Sequence, residues 1–202
     1  MTAFTANGQT IIQAKLITIS PSLTVNGTFN GGTTTKDYLS GVDKFTSTSF
    51  GGLEFDAFCV EPNAIIAIGQ SLDYTVTATS SLTNSDKVAR LVGAYLGSSK
   101  TNADAAAIQW AIWEVTSESS SSLSLSNGNV NVSGSSPSSN TRTLGNQYLA
   151  NINTYSAANI TYLKNSQYQD MVGFNSTKPI PEPASLGMLA ISGMLLLRRK
   201  RK

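Results

Sequence analysis

Cys59 is the lone cysteine of a 202-residue chain that has no histidine at all. An internal disulfide is therefore impossible in any redox compartment. Without histidine, Ser-His-Asp and Cys-His nucleophile activation are excluded, as are all histidine metal sites, and a single thiol gives no plausible transition-metal site. Three fates remain for the thiol: dimerisation, burial as a small inert hydrophobe, or consumption in some other covalent bond. Cys59 lies in Phe58-Cys59-Val60-Glu61-Pro62, at the end of a predicted strand. A second segment stands out, Ile108-Gln109-Trp110-Ala111-Ile112-Trp113-Glu114, where the amide of Gln109 interrupts an otherwise apolar helix.

Taken as a pair in this order, the two segments resemble the thioester domains of bacterial surface adhesins. In that family an aromatic-Cys-hydrophobic-acidic segment supplies a thiol, and an apolar-Gln-x-x-apolar-Trp helix supplies a side-chain amide. The resemblance covers roughly residues 53–115. It implies that Cys59 attacks the Gln109 amide carbon, that ammonia leaves, and that an internal thioester remains, with no cofactor. An amide is a poor electrophile, so such a bond needs enforced proximity, which contributes on the order of 7–11 kcal/mol. A strand-end Cys59 facing a helix-borne Gln109 supplies it better than two loops. Phe58, Trp110 and Trp113 are the expected apolar shield, and Glu61, Glu114 and Asp56 are the candidate bases by proximity in sequence. The sulfur of Cys59 and the side-chain carbon of Gln109 are expected within bonding reach. Gln109→Ala is expected to leave the fold largely intact.

The last twenty-two residues have three parts in fixed order: Pro181-Glu182-Pro183, an uncharged run over 184–197, and the basic end Arg198, Arg199, Lys200, Arg201 and Lys202. Fourteen residues reach about 21 Å as a helix, against a hydrocarbon core of about 30 Å. Snorkelling cations extend that reach, and Gly187, Ser192 and Gly193 permit close helix packing. The positive-inside rule keeps the basic end in the cytoplasm and residues 1–180 outside. This tail resembles the PEP-CTERM sorting signal, which is read by the membrane protease-transpeptidase exosortase. The resemblance implies transient membrane anchoring, cleavage near Pro181–Pro183, and release or attachment at the cell surface or in extracellular matrix. The first twenty residues lack a basic start and an apolar h-region, so a truncated start is expected for an exported protein.

The formal charge of +2 belongs to the tail. Residues 1–180 hold nine Lys or Arg and eleven Asp or Glu, a balance of −2, which gives no support to nucleic-acid binding. Low charge and abundant Ser, Thr, Asn and Gly suit a secreted surface protein. The N-x-S/T triplets at Asn26, Asn131, Asn159 and Asn175 are expected by chance in so polar a chain.

The elements that must position Cys59 and Gln109 follow from hydrophobic period. Residues 1–80 read as strands: Ile11–Ile19, Leu23–Phe29, Leu53–Val60, and the alternation Leu72, Tyr74, Val76, Ala78. From Asp86 the period turns helical, predicting helices over 86–97, 103–116 (capped by Thr101 or Asn102) and 143–155. Asn127-Gly128 predicts a two-residue hairpin with Leu125 opposite Val130 and Leu123 opposite Val132. Residues 160–174 are expected to return as strand, and 175–180 as stalk. The fold class is α+β: an N-terminal β-sandwich or barrel-like region with packed helices in one domain over 1–174, then a single transmembrane helix over 184–197.

The leading functional expectation is an exported surface or matrix protein, sorted by exosortase, whose thioester captures an amine or hydroxyl of a surface partner. It is a single-use reagent and not a turnover enzyme. The alternative is a non-reactive structural component of biofilm or matrix with the same tail.

Overall fold

Eleven consecutive residues, Ala105–Val115, are buried in one helix, and the rest of the chain is arranged to cover it. The computed structural model describes residues 5–6, 9–32, 34–47, 52–62, 65–118, 122–175 and 177. The buried helix, α2 (Asn102–Ser117), is mostly apolar on every face, as an enclosed helix must be, with Gln109 and Glu114 as its buried polar side chains. Its start is set by a capping box: the Thr101 side chain accepts from the Asp104 backbone N–H while the Asp104 carboxylate accepts from that of Thr101. The preceding helix, α1 (Ser85–Gly97), has one buried stripe containing Val88, Leu91, Val92 and Tyr95, and packs against α2.

The strands are β1 (Thr5–Ala6), β2 (Gln9–Phe29), β3 (Lys36–Ser47), β4 (Leu53–Cys59), β5 (Ser71–Thr77), β6 (Val130–Val132), β7 (Thr161–Lys164) and β8 (Met171–Phe174). They form an antiparallel sheet in the order β1-β2-β3-β4-β8-β7-β5, and β5 pairs back onto β2. That closure depends on the length of β2. Its first half pairs with β5 (Ile12 opposite Tyr74), and its second half pairs with β3 (Val25 opposite Tyr38). Register shifts between Leu16 and Thr18 and between Ile19 and Ser22 let one strand serve both neighbours, since an irregularity in the ladder bends the strand. The two separate strands predicted over Ile11–Phe29 are thus one continuous element.

The α+β class holds, but the sheet is not confined to the first eighty residues. β7 and β8 come from the far end and fill the gap between β4 and β5. β3 was absent from the predicted strands because Lys36–Ser47 shows no alternation. Its stretch Ser40-Gly41-Val42-Asp43 is buried throughout, including a hydroxyl and a carboxyl.

Two other expectations are corrected. The 122–133 hairpin does not form: β6 pairs with β2, placing Val130 opposite Phe29, and only one bond, Val132 N–H to Leu125 O, links it to the preceding segment. Burial decided this, because pairing with β2 takes Leu125, Val130 and Val132 into the core together. The third helix, α3 (Ser138–Ala150), starts five residues earlier than predicted and gives way to a 3-10 turn at Ile152–Thr154. Its inner face carries small residues as well as Tyr148 and Leu149, and Gly145 comes so close that a Cβ there would meet Leu125 Cδ1 at 2.4 Å.

No helix among the described residues is long and apolar enough to cross a membrane. The predicted span 184–197, the motif Pro181–Pro183, the basic end and most of the stalk lie outside the described residues.

Gly27 of β2 sits under the Trp110 indole, where a Cβ would come within 2.2 Å of the ring. Gly97, at the end of α1, has open space around it. Gly27→Ala is therefore expected to destabilise the fold by about 1–3 kcal/mol through overpacking. Gly97→Ala should stabilise it by about 0.5–1 kcal/mol, by reducing unfolded-chain entropy. Urea denaturation of the two variants against the parent protein measures both.

Candidate functional site

β4 runs past the end of its ladder with β3. The last β3–β4 pair is Asp43 opposite Ala57, so the side of Cys59 that would face β3 has no strand beside it. Gln109 takes that place. The Cys59 backbone N–H donates to Gln109 Oε1 at 3.0 Å, and Gln109 Nε2 donates to the Cys59 carbonyl at 2.7 Å. A primary amide carries the same donor and acceptor pair as a backbone residue, so it completes the sheet edge like one more strand residue. Both groups are buried, Gln109 being 2 % exposed.

The helix is aligned to this strand end by its period. Gln109, Trp113 and Thr116 follow one face of α2 at four- and three-residue intervals. Thr116 Oγ1 donates to the Val60 carbonyl at 3.1 Å, a second tie from the same face to the same strand end. Across β4, Cys59 lies opposite Met171 of β8, and Val60 N–H donates to Asp170 O. The strand end is thus held from both sides.

The Cys59 thiol turns back on the chain that follows it. Sγ donates to the Glu61 carbonyl at 3.0 Å and accepts from the Glu61 N–H at 3.3 Å. Burial pushes the thiol far above its ordinary range, and a negative charge on Asp43 would push it further. The thiol is therefore neutral in the resting protein.

Cys59, Gln109, Trp113 and Asp43 line one cavity of about 380 Å³. Its outer lining includes Leu39, Ile65 and Ile68, which are 51 %, 80 % and 59 % exposed. Large apolar side chains so exposed and so close together are uncommon on a soluble surface. The indole N–H of Trp113 is buried, has no partner in good hydrogen-bond geometry, and lies near enough to the Cys59 sulfur to favour its thiolate form.

The expected environment is brought together only in part. Trp113 belongs to it, and Glu61 contributes its backbone. The Glu61 carboxylate is turned elsewhere, accepting from the Asp170 N–H. Phe58 lies on the opposite face of β4, as strand alternation demands, and packs against Phe174 and Tyr95 at 5.2 and 5.3 Å. Trp110 stacks on Phe29 at 5.0 Å and donates to Ser40 Oγ, so it supports Trp113 from behind and does not line the cavity. Glu114 accepts from the Ser124 N–H, and Asp56 pairs with Lys44 at 3.0 Å. Neither lines the cavity. The carboxyl that does so deeply is Asp43, 5 % exposed and missed in sequence because nothing marked its strand. Burial raises it to about 8.

The two hydrogen bonds also correct the expectation for Gln109→Ala. The substitution strips partners from a buried N–H and a buried C=O, at about 1–3 kcal/mol for each group left unpaired.

Asp43 and Glu114, which burial raises to about 7, share a consequence for stability. A carboxyl held above its unfolded value keeps its proton in the folded state while the unfolded chain has already released it. Its contribution to stability is complete below about pH 4 and is lost as pH rises through the folded value. Stability to urea is therefore expected to fall between pH 5 and pH 8.5, and Asp43→Asn should remove most of the part of that fall due to Asp43. Equal slopes for the parent and the variant would show that Asp43 is not buried as a neutral acid.

No protein-family profile, curated protein or solved structure matches the chain, so the site stands on its own geometry.

Proposed function

We propose that the protein is an exported surface or matrix protein whose Cys59 and Gln109 form an internal thioester for covalent attachment to an amine or hydroxyl of a partner. The observation that carries this reading is the pair of hydrogen bonds holding the Gln109 amide against Cys59. They restrict the amide to one orientation, which is the proximity that thiol attack requires. The Cys59 N–H already donates to the oxygen on which negative charge develops when the amide carbon is attacked, as an oxyanion-hole donor does. Nε2 becomes the leaving ammonia. The product thioester is an acyl donor in a cavity bordered by apolar residues, where hydrolysis by bulk water is restrained.

The tail completes the proposal. PEP at 181–183, the run 184–197 and five terminal cations suit an exosortase substrate, inserted transiently and then placed at the surface or in matrix. A barrel-like sheet around α2 is the scaffold this reading assigns to the exposed domain, and closure of the strand path through β2 and β5 supports it.

A second reading has an observation in its favour. Both ends of the Gln109 amide are satisfied and the thiol is bonded to Glu61, so the same arrangement serves as a purely structural clasp in a non-reactive matrix protein.

Intact mass and peptide mapping separate the two. The thioester reading expects a deficit of one ammonia in freshly prepared protein, and after methylamine treatment an N-methylamide on Gln109 together with a free Cys59 thiol. Cys59→Ala should abolish capture. A full mass with Gln109 unmodified assigns the protein to the structural class.

Deletion of Arg198–Lys202 is expected to impair membrane retention and processing, because the basic stop is lost. Cell fractionation with immunoblotting measures it, and wild-type processing of the truncated protein would sink the sorting proposal.

A further inference from the structure

We infer that Asp43 is the proton-transfer group of this site, taking the proton of the Cys59 thiol and handing it to the departing ammonia. The inference rests on the thioester reading and assigns that reaction its missing acid and base. Three observations support it. Asp43 shares the cavity with both reactants, whereas the carboxylates of Glu114 and Asp56 do not line it and that of Glu61 is engaged with the Asp170 backbone. Among the described residues Asp43 has no ion pair and no side-chain hydrogen bond, although it is almost fully buried: Lys44, its neighbour on β3, is paired with Asp56 instead. A carboxyl buried with no structural partner costs stability, and a fold retains such a cost where the group has a use. Finally, the Tyr74 hydroxyl, buried on β5 within electrostatic reach of both Asp43 and Cys59, is also without a partner.

The surroundings of Asp43 fix its behaviour. Cys59 faces it from β4 and Tyr74 from β5, with Glu61 acting on Cys59 and Asp170 acting on Tyr74. Helix α2 presents only Gln109 and Trp113, neither of which titrates, and Asp37 and Tyr38 lie on β3 itself. Among the described residues no cation lines the cavity. Both Asp43 and Cys59 are therefore neutral at rest, and the reactive fraction is the one in which Asp43 has ionised.

The step balances. The Asp43 carboxylate accepts the S–H proton, and the thiolate sulfur forms a bond to Gln109 Cδ while the carbonyl electron pair moves onto Oε1, beside the Cys59 N–H. The tetrahedral species collapses, the C–N bond breaks, and the Asp43 carboxylic acid protonates Nε2 as it leaves as ammonia. The thioester remains, and Asp43 is again a carboxylate. Attack by an external amine runs through the reverse sequence: Asp43 takes the proton of the amine and returns it to sulfur.

The test uses the full chain, as wild type, Asp43→Asn and Asp43→Glu, with hydroxylamine as the nucleophile because it is mostly unprotonated from about pH 7 upward. Ammonia loss is followed by intact mass after cell-free synthesis, and thioester cleavage by thiol release between pH 7 and pH 9. Wild type is expected to react roughly tenfold faster at pH 9 than at pH 7, following ionisation of a carboxyl at about 8. Asp43→Asn, nearly isosteric and neutral, should form the thioester on the order of 10²-fold more slowly and lose the pH dependence. Asp43→Glu should recover part of the rate. An Asp43→Asn protein with the wild-type ammonia deficit, cleavage rate and pH profile overturns the role of Asp43 while leaving the thioester standing. A wild-type protein with no deficit at any pH overturns both. The pH profile of wild type alone is decisive should the variant fold poorly, since a rate flat across pH 7–9 also overturns the assignment.

Discussion

The contact on which this structure turns is the double hydrogen bond between the side chain of Gln109 and the backbone of Cys59. It joins the most buried helix to the sheet at the end of β4, beyond its ladder with β3. A buried N–H and C=O at that edge would otherwise be stranded in an apolar interior, and a helix cannot pair with a strand through its own backbone, whose groups are already used. A side-chain amide is the smallest group that supplies both complements at once. Asparagine would need the helix closer, and glutamate could not donate to the carbonyl.

That constraint propagates outward. Placing Gln109 against β4 sets the rotation of α2, which sends Trp110 against Phe29 and Ser40 and leaves Trp113 facing the cavity. The close seat of Trp110 requires Gly27 on β2, and the close packing of Leu125 against α3 requires Gly145. β7 and β8, arriving from the end of the domain, hold the other side of β4. The strand that bears the thiol is thus fixed by the helix on one flank and by a distant segment on the other. Rigidity of this kind is what the proposed reaction between two weakly reactive groups would need.

The low dielectric that protects the site also opposes its chemistry. Burial disfavours the thiolate, and with no cation lining the cavity among the described residues, only the neutral donors of Trp113 and the Glu61 backbone offset part of that penalty. A neutral thiol beside a neutral acid is stable and slow. Moving the thiol proton onto an ionised Asp43 exchanges one buried negative charge for another and adds none, so the placement of Asp43 beside Cys59 is consistent with both the stability of the fold and the proposed single-use reaction.

Much of this was legible in the residues. The alternation of Leu72, Tyr74 and Val76 marked β5, the periodicity after Asp86 marked α1, and Thr101 or Asn102 marked the start of α2, because each of these signals is local. Cys59 and Gln109 were paired through the resemblance of their two segments to thioester domains. The misplaced elements have a common cause: the buried polar stretch of β3 has no period to read, and the partner of Val130 was chosen by a core that lies mostly elsewhere in the chain. The amino-acid sequence by itself determined which chemistry is closed to Cys59 and Gln109, since the absence of histidine and the presence of a single thiol exclude a histidine base and an internal disulfide. Only the tertiary structure decided which carboxyl accompanies them, because the neighbour of a buried group is set by strand pairing and helix rotation across fifty and more residues, and Asp43 is adjacent to Cys59 in space while carrying no local sign of it.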